Sequence, residues 1–192
     1  MKGEATRSRI LDTALRLASL EGLEALSIGK LAARSGLSKS GLFAHFNSKQ
    51  VLQKRVLEHA AERFIESVVM PAIGKKRGMP RLRSIFDNWL AWASSEGLPG
   101  GCVFVAAAAE LDDKPGPVRD YLVRSQQDWI ATLSRAVAIS QEEGDVASDA
   151  DPEQLAFELY GVMMSYHLYR RLLGNRSAKT RAQASFARIT GN

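Results

Sequence analysis

The outward positions of one short helix carry the clearest chemistry in the sequence. They provide a cation, two hydroxyls, an aromatic ring and an imidazole: Ser38, Lys39, Ser40, Phe43 and His45. Leu42 and Phe46 lie four residues apart and are predicted to face the opposite way, into a core. A helix can enter the major groove of DNA, where such polar groups contact base edges and phosphates. We therefore interpret this face as a candidate DNA-contacting surface.

An upstream helix and a three-residue corner position that face. Ser27 caps the start of the upstream helix and Gly36 ends it. The apolar residues between them recur at helical intervals: Ile28, Leu31 and Ala32. We expect Leu37 to turn inward and fill the corner before Ser38 caps the next helix. The pattern predicts a helix-turn-helix, and the alternative is an ordinary helical hairpin with a solvated polar face.

The net positive charge of the chain is confined to the region of this motif. Residues 1–55 hold ten lysines and arginines against four acidic residues, a net charge of +6, whereas the remaining residues hold sixteen against seventeen, a net charge of −1. A basic segment is expected where a protein meets the phosphate backbone, and a merely solvated basic face would not have to coincide with a turn motif. Charge and motif together predict DNA binding.

The composition argues against several other classes of protein. The chain has 192 residues, of which 45% are hydrophobic and 24% charged, as in ordinary globular proteins of one or two domains. The amino terminus lacks the apolar core of a signal peptide, and the longest apolar run, residues 102–109, is too short to span a bilayer. We therefore expect a cytoplasmic protein with no membrane partner. A single cysteine excludes an intramolecular disulfide. The histidines have no metal-ligand spacing: His45, His59 and His167. We predict no metal site and no cofactor.

Helical periodicity continues through the rest of the chain, and no stretch is convincing as a strand. A first helix over residues 6–20 is expected to pack across the helix-turn-helix as its third member. A long helix follows over residues 48–71, and further helices are predicted near residues 82–92, 102–111, 117–143, 155–173 and 177–189. The predicted fold is all-α, with an amino-terminal three-helix helix-turn-helix domain (residues 1–47) joined by the long helix to a second helical domain (residues 48–192).

The helix predicted over residues 155–173 is apolar nearly all round, so it must be buried on two sides. One side can face the core of its own chain and the other a second copy. The last helix could complete that contact. We predict a homodimer formed through the last two helices, and the alternative is a central core helix in a monomer.

Two parts of the sequence resemble a known family. The stretch LSIGKLAARSGLSKSGLFAHFNSKQVL, residues 26–52, resembles the DNA-binding domain of the TetR family of one-component bacterial transcriptional regulators. Residues 101–120 and 151–161 resemble one subgroup of that family's ligand-binding domains. The resemblance implies an all-α dimer that binds a palindromic operator in double-stranded DNA. It also implies an effector pocket in the larger domain and a dimer bundle made by the last two helices.

The resemblance assigns roles to single positions. Ser27 stands where the family places a hydroxyl near a phosphate, and Lys49 where the family contacts backbone phosphate at the start of the fourth helix. The family's recognition helix coincides with Lys39, Ser40 and His45. Phe43 replaces the usual tyrosine and Gly41 a frequent threonine, so two polar contacts of the family cannot be carried over. The predicted DNA contacts are Ser27, Ser38, Lys39, Ser40, Phe43, His45 and Lys49.

A small-molecule effector is expected to contact aromatic, sulfur-containing and polar side chains. The candidates are Phe86, Trp89, Trp92, Cys102, Phe104, Trp129, Tyr160, Met163, Met164 and His167. Residues of these types at helical spacing also serve as plain core. His167 is the most informative of them, because it is a polar group on an otherwise apolar helix. The predicted function is a repressor that its effector releases from the operator.

Other functions stay open beside this one. Cys102 follows two glycines at a helix start, where the helix dipole could activate its thiol toward oxidants or electrophiles, although a small buried cysteine is commoner. An enzyme could use Cys102 as nucleophile with His59 or His167 as base, but the sequence offers no group to orient that base. A structural DNA-binding dimer without effector would bind with little sequence preference. We predict that the protein is not an enzyme.

Overall fold

The computed structural model describes residues 2–191, with side chains from residue 6 onward, and every regular element in that range is helical. In chain order the elements are α1 (Lys2–Glu21), α2 (Ile28–Ser35), α3 (Lys39–Phe46), α4 (Lys49–Phe64), a π-helical turn (Ile65–Val69), α5 (Met70–Ile73), α6 (Met79–Trp92), α7 (Val103–Leu111), α8 (Pro117–Glu142), α9 (Pro152–Arg171) and α10 (Ala178–Thr190). The predicted all-α fold with an amino-terminal helix-turn-helix is confirmed.

The long helix predicted over residues 48–71 is not a regular α-helix throughout. It changes to a π-helical turn after Phe64, where the backbone N–H of Met70 donates to the carbonyl oxygen of Ile65, and it then continues as α5. Ile65, the first residue of this turn, is 49% exposed, whereas Val68 is fully buried. An α-helical period does not continue unchanged through a turn that contains an extra residue.

The chain folds into two compact units, and each unit is built from two segments of the sequence. The first consists of the residues up to Arg63 together with Ser94–Ser125, and the second of Phe64–Ala93 together with the residues from Gln126 onward. The predicted domains, residues 1–47 and 48–192, each consist of one continuous segment and therefore differ from these units. A separate domain of 47 residues therefore stays a prediction.

In the first unit, a buried hydroxyl joins α1 to the loop before α7. The Ser19 hydroxyl donates to the carbonyl oxygen of Gly101 at 2.9 Å and accepts from the backbone N–H of Gly100 at 2.8 Å. The backbones approach so closely that a Cβ added at Gly100 would lie 1.5 Å from the Ser19 carbonyl oxygen. Only glycine fits at position 100 in this arrangement.

A carboxylate makes a second connection within the same unit. Glu110, at the end of α7, accepts from the backbone N–H groups of Leu23 at 3.2 Å and Glu24 at 2.7 Å, in the turn that leads to α2. Lys114 then pairs with the Glu24 side chain at 3.2 Å. Because carboxylates are strong acceptors, these bonds fix the start of the helix-turn-helix to α7.

The second unit is built around aromatic contacts between α6, α9 and α10. Phe86 lies 4.7 Å from Phe186 between ring centroids, and Trp89 lies 6.4 Å from Tyr166. The Tyr166 hydroxyl donates to the carbonyl oxygen of Leu90 at 3.2 Å, so this buried ring is satisfied at both its apolar and its polar end. These contacts tie α6 to the two last helices.

Candidate nucleic-acid interface

Two serine caps and one glycine shape the helix-turn-helix. The Ser27 hydroxyl accepts from the backbone N–H of Lys30 at 3.2 Å, and the Ser38 hydroxyl accepts from that of Gly41 at 3.1 Å. Gly36, with φ of +68°, takes the left-handed conformation that ends α2. Each helix of the motif therefore begins at a serine cap bond, and α2 ends at a glycine.

The inner face of the motif is fully buried and its outer face is exposed. Leu31, Leu42 and Phe46 have no exposed surface, and α2 packs against both α1 and α3. Leu37 was expected to fill the corner but is 40% exposed. That prediction is wrong, because buried side chains of α2 and α3 already occupy the interior of the motif.

The predicted DNA contacts of α3 are all exposed: Lys39, Ser40, Phe43 and His45. Phe43 is 53% exposed, which is unusual for a ring of this size. The hydroxyls of Ser40 and Ser38 lie 3.2 Å apart, so the Ser40 hydroxyl is held at the start of the helix. The exposed side chains of α3 combine positive charge, hydrogen-bonding groups and an aromatic ring.

A third serine cap positions Lys49. The Ser48 hydroxyl accepts from the backbone N–H of Val51 at 3.2 Å, and the turn before it is closed by Asn47, which has a positive φ of 50°. Lys49 is thus the first residue of α4, and its side chain is exposed. The amino-terminal N–H groups of a helix attract anions, and a lysine at that position adds to the attraction.

Two of the cations on α2 are already paired with a carboxylate. Lys30 lies 2.9 Å and Arg34 lies 3.9 Å from the Glu21 carboxylate at the end of α1. The hydrogen bond from Lys30, followed by the charges of Lys30 and Arg34, holds the pKa of Glu21 below its ordinary value. Glu21 therefore remains ionised at neutral pH and offsets positive charge on α2.

Two lysines among the predicted DNA contacts, Lys39 and Lys49, form no salt bridge in the part of the chain that the structure describes. On α4, Lys54 and Arg55 pair with Glu58 at 3.8 and 2.8 Å. Neither Lys39 nor Lys49 lies in a salt bridge with a described residue. Both side chains are exposed, and the pKa of Glu24, which its hydrogen bond with Lys114 lowers, is lowered further by the charge of Lys49.

The predicted effector contacts divide between the two units. Cys102 and Phe104 are buried in the first unit, at 2% and 5% exposure. The other eight lie in the second unit: Phe86, Trp89, Trp92, Trp129, Tyr160, Met163, Met164 and His167. Of these eight, Met164 is exposed, whereas Met163 on the same helix is fully buried. Their role as effector contacts stays a prediction.

Sequence reasoning missed one residue that joins two of these candidates. Phe64 lies edge-on to Trp92, with ring centroids 5.5 Å apart, and edge-on to Trp129, with centroids 4.9 Å apart. Phe64 is the last residue of α4, whereas its two tryptophan neighbours lie on α6 and α8, which are distant in sequence. Only tertiary packing reveals this cluster.

His167 is half-buried on α9. Burial, with a smaller contribution from the charge of Arg171, lowers the pKa of His167 below its ordinary value. Its imidazole is therefore neutral at physiological pH. The Nε2 atom is buried and has no hydrogen-bond partner among the described residues.

Neither sensing nor catalysis gains support from the surroundings of Cys102 and His59. Cys102 precedes the first residue of α7 and is buried rather than open to reagents. The Nε2 atom of His59 lies 2.8 Å from a carboxylate oxygen of Asp12, which Arg63 also contacts at 3.2 Å. His59 is thus engaged in a charged network within the first unit.

The described residues contain no group of three or more His, Cys, Asp or Glu side chains arranged to hold a metal ion. None of the helices among them has the combined length and hydrophobicity that crossing a membrane requires.

Known proteins resemble this chain in sequence and in fold. Residues 10–56 match the family described as bacterial regulatory proteins, tetR family, and residues 78–186 match the tetracyclin repressor-like C-terminal domain. The HTH-type transcriptional repressor NemR of Escherichia coli is 23% identical over 168 residues, which cover 87% of this chain and 84% of NemR.

Two solved structures extend the similarity over nearly the whole fold. A TetR transcriptional regulator from Chloroflexus aurantiacus has a TM-score of 0.85 and 25% identity, with 99% of this chain and 94% of that chain covered. AibR, solved in complex with isovaleryl coenzyme A and operator DNA, has a TM-score of 0.78 and 21% identity, with 96% and 98% covered. The family matches span both the helix-turn-helix and most of the remaining chain. The chain therefore belongs to the TetR family and is a DNA-binding transcriptional regulator.

Proposed function

We propose that this regulator is a repressor that binds a palindromic operator as a homodimer and leaves it when a small-molecule effector binds. The observation that carries the proposal is the outer face of α3, where Lys39, Ser40, Phe43 and His45 are all exposed. A recognition helix reads base edges in the major groove with its first turn. Lys39 and Ser40 lie in that turn.

Phosphate contacts would hold this helix in register. The Ser27 hydroxyl uses an acceptor lone pair for its cap bond, so its hydrogen remains free to donate to a phosphate oxygen. Lys49 offers its ammonium group and the amino-terminal end of α4. Contacts of this kind position a protein on the duplex without reading sequence.

The surface of α9 and α10 supports the proposed homodimer. A groove of about 600 Å³ runs along these helices and is lined by small residues on both of them: Gly161, Ser165, Ala178, Ala182 and Ser185. Large apolar side chains stand exposed on α9 and just beyond it, with Phe157 at 73% and Leu172 at 76% exposure. Small residues allow another helix to approach closely, and apolar ones gain stability when a second copy covers them.

Release by an effector would act through a population shift. A ligand that binds one conformation of the dimer more tightly favours that conformation, and the recognition helices then no longer match two half-sites. A coupling of roughly 1 to 3 kcal/mol is typical of such systems. AibR was solved with both a coenzyme A ester and operator DNA, which supports a regulator of this fold that responds to a small molecule.

The test is binding of the purified protein to the DNA upstream of its own gene, compared with a random duplex of equal length. We expect a specific footprint with two half-sites. If 6 to 10 phosphates are contacted, affinity should fall roughly 10³- to 10⁵-fold between about 50 and 200 mM salt. Footprints at other promoters would extend the search for the operator.

Other outcomes distinguish the competing functions. Equal binding to both duplexes at every salt concentration would favour a structural DNA-binding protein without an operator. Absence of binding to either duplex at low salt would contradict the assignment of α3 as a recognition helix.

A further inference from the structure

Three aromatic rings form a buried cluster in the second unit, which we call the Phe64 cluster: Phe64, Trp92 and Trp129. Their exposed fractions are 9%, 7% and 6%. Both indoles stand at 89° to the Phe64 ring, with centroid distances of 5.5 and 4.9 Å. The centroids of the two indoles are consequently at most about 10 Å apart. One small molecule is long enough to contact both.

Each indole of the cluster has a buried N–H group without an acceptor. The Nε1 atoms of Trp92 and Trp129 have no hydrogen-bond partner among the described residues. An indole N–H is a donor only, and a buried donor that loses water without gaining an acceptor is costly. Buried tryptophans therefore normally find a partner.

Nearby tyrosines of the same unit follow that rule. The Tyr166 hydroxyl donates to the carbonyl oxygen of Leu90 at 3.2 Å, and the Tyr160 hydroxyl donates to the side-chain oxygen of Gln126 at 2.5 Å. Gln126 lies one turn before Trp129 on α8, but that oxygen already accepts from Tyr160. The two indoles thus differ from these two tyrosines, because their buried N–H groups have no acceptor among the described residues.

We propose that the effector of this regulator is an uncharged planar aromatic molecule that carries a carbonyl group and binds at the Phe64 cluster. The carbonyl oxygen, which has two lone pairs, would accept from the indole N–H groups of Trp92 and Trp129. The ring would pack against the aromatic side chains of the cluster. This inference rests on the proposed effector-released function and specifies the chemical class of the effector.

An uncharged ligand fits the cluster better than an anion does. Indole N–H groups stabilise a carbonyl dipole, and the three rings supply apolar surface. A carboxylate buried against the same neutral donors would lose its hydration without gaining a counter-charge. We therefore expect aromatic ketones to bind and the corresponding carboxylates to be excluded.

The experiment compares two probes that differ only at the acceptor. Acetophenone carries a carbonyl where ethylbenzene carries a methylene, and the two have nearly the same shape. Binding to the ¹⁵N-labelled protein without DNA is followed through the indole N–H resonances, which Trp92→Phe and Trp129→Phe assign. A site built to donate hydrogen bonds discriminates strongly against an analogue that lacks the acceptor. We expect acetophenone to bind roughly tenfold more tightly and to shift both resonances downfield.

The variants supply the second comparison. Phenylalanine keeps an aromatic ring but removes the N–H, so each variant should lose most of the preference for acetophenone and keep its affinity for ethylbenzene. Equal binding of the two probes by the unaltered protein, or binding that leaves the Trp92 and Trp129 resonances unmoved, would overturn the proposal. So would an absence of acetophenone binding. The comparison of acetophenone with ethylbenzene on the unaltered protein holds even where a variant does not fold.

The failure of this inference is distinguishable from failure of the proposed function. Operator binding is measured without any probe, and probe binding is measured without DNA. A protein that binds its operator but ignores acetophenone retains the repressor function and loses only the ligand class proposed here. Release of the operator by acetophenone but not by ethylbenzene would support both.

Discussion

Lys39 combines exposure, a position in the first turn of α3 and a side chain outside any salt bridge with a described residue. Replacement by alanine should weaken operator binding and reduce the slope of log K against log salt by about 1, because one phosphate or base contact of a cation is lost. The measurement is a salt titration of DNA affinity. Lys75→Ala, which removes the same charge from an exposed position in the second unit, is the control and should leave the slope unchanged. A loss equal in both variants would indicate a general charge effect instead.

Glu21, unlike Lys39, reduces the positive charge of the helix-turn-helix. Its carboxylate pairs with Lys30 and Arg34, so Glu21→Gln should free both cations for phosphate and raise affinity a few-fold for specific and random DNA alike. The matched control is Glu142→Gln, which removes a partner of Arg77 in the second unit. Unchanged affinity in Glu21→Gln would mean that α2 lies away from the phosphate backbone.

His167 gives the protein a pH dependence of known sign. Because burial lowers the pKa of the folded-state imidazole, the unfolded chain binds more protons as the pH falls below the ordinary value of 6.5. The folded state is thus fully stabilised above that value and loses stability as the pH falls from 6.5 through the folded-state pKa. Proton NMR titration of the histidines should show a midpoint below 6.5 for His167. Urea unfolding should show less acid sensitivity in His167→Gln than in the unaltered protein, and equal sensitivity would contradict this account.

At the scale of elements, the junction of α1 with the loop before α7 depends on one hydroxyl. Ser19→Ala would remove the buried hydroxyl that accepts from the N–H of Gly100 and donates to the carbonyl of Gly101, at a cost of about 1 to 3 kcal/mol. Thr13→Ala, on the same helix, removes a bond between a hydroxyl and the Arg9 carbonyl at an exposed position and should cost no more than about 0.5 kcal/mol. The free energy of unfolding, measured by urea denaturation, compares the two. Equal costs would show that the junction contributes little.

Structural features that depend on residues close together in the chain could be predicted from the sequence. Ser27, Gly36 and Ser38 act on neighbours within three or four positions, so the helix-turn-helix could be read directly. The Ser19 junction joins groups 81 residues apart, and no local pattern reports it. The prediction that Leu37 is buried was wrong because burial also depends on tertiary packing. It is decided by how much space α2 and α3 leave between them.

The candidate sites differ in the same way. The candidate DNA contacts of α3 follow from the periodicity of a single helix, and these side chains are exposed, although their role stays a prediction. The candidate effector contacts could be chosen only by their side-chain type. Which of them lie together depends on tertiary packing, because the neighbours of a buried indole come from other helices. The π-helical turn was equally hidden, because residues 65–69 are of types that also fit an ordinary α-helix.

For the whole molecule, the prediction is that a second copy covers α9 and α10. Leu172→Glu introduces a charge at a position 76% exposed in a single chain, so the folded protomer should tolerate it while the dimer dissociates. Light scattering coupled to size-exclusion chromatography measures the mass. Ile73→Glu, at another apolar position with 52% exposure, is the control and should remain dimeric. A monomeric unaltered protein would contradict the proposed dimer.

The first compact unit takes its two segments from either side of a stretch that belongs to the second unit. During synthesis, Arg63 leaves the ribosome about sixty residues before Ser125 does. At 5 to 20 residues per second, this interval lasts roughly 3 to 12 s. The Leu23 and Glu24 amides lack the Glu110 carboxylate until that residue has been added, and the Ser19 hydroxyl lacks its loop until Gly101 has been added. The DNA-reading end of the protein, although translated first, is consequently completed late, and a nascent chain cannot hold the finished helix-turn-helix environment before most of the polypeptide exists.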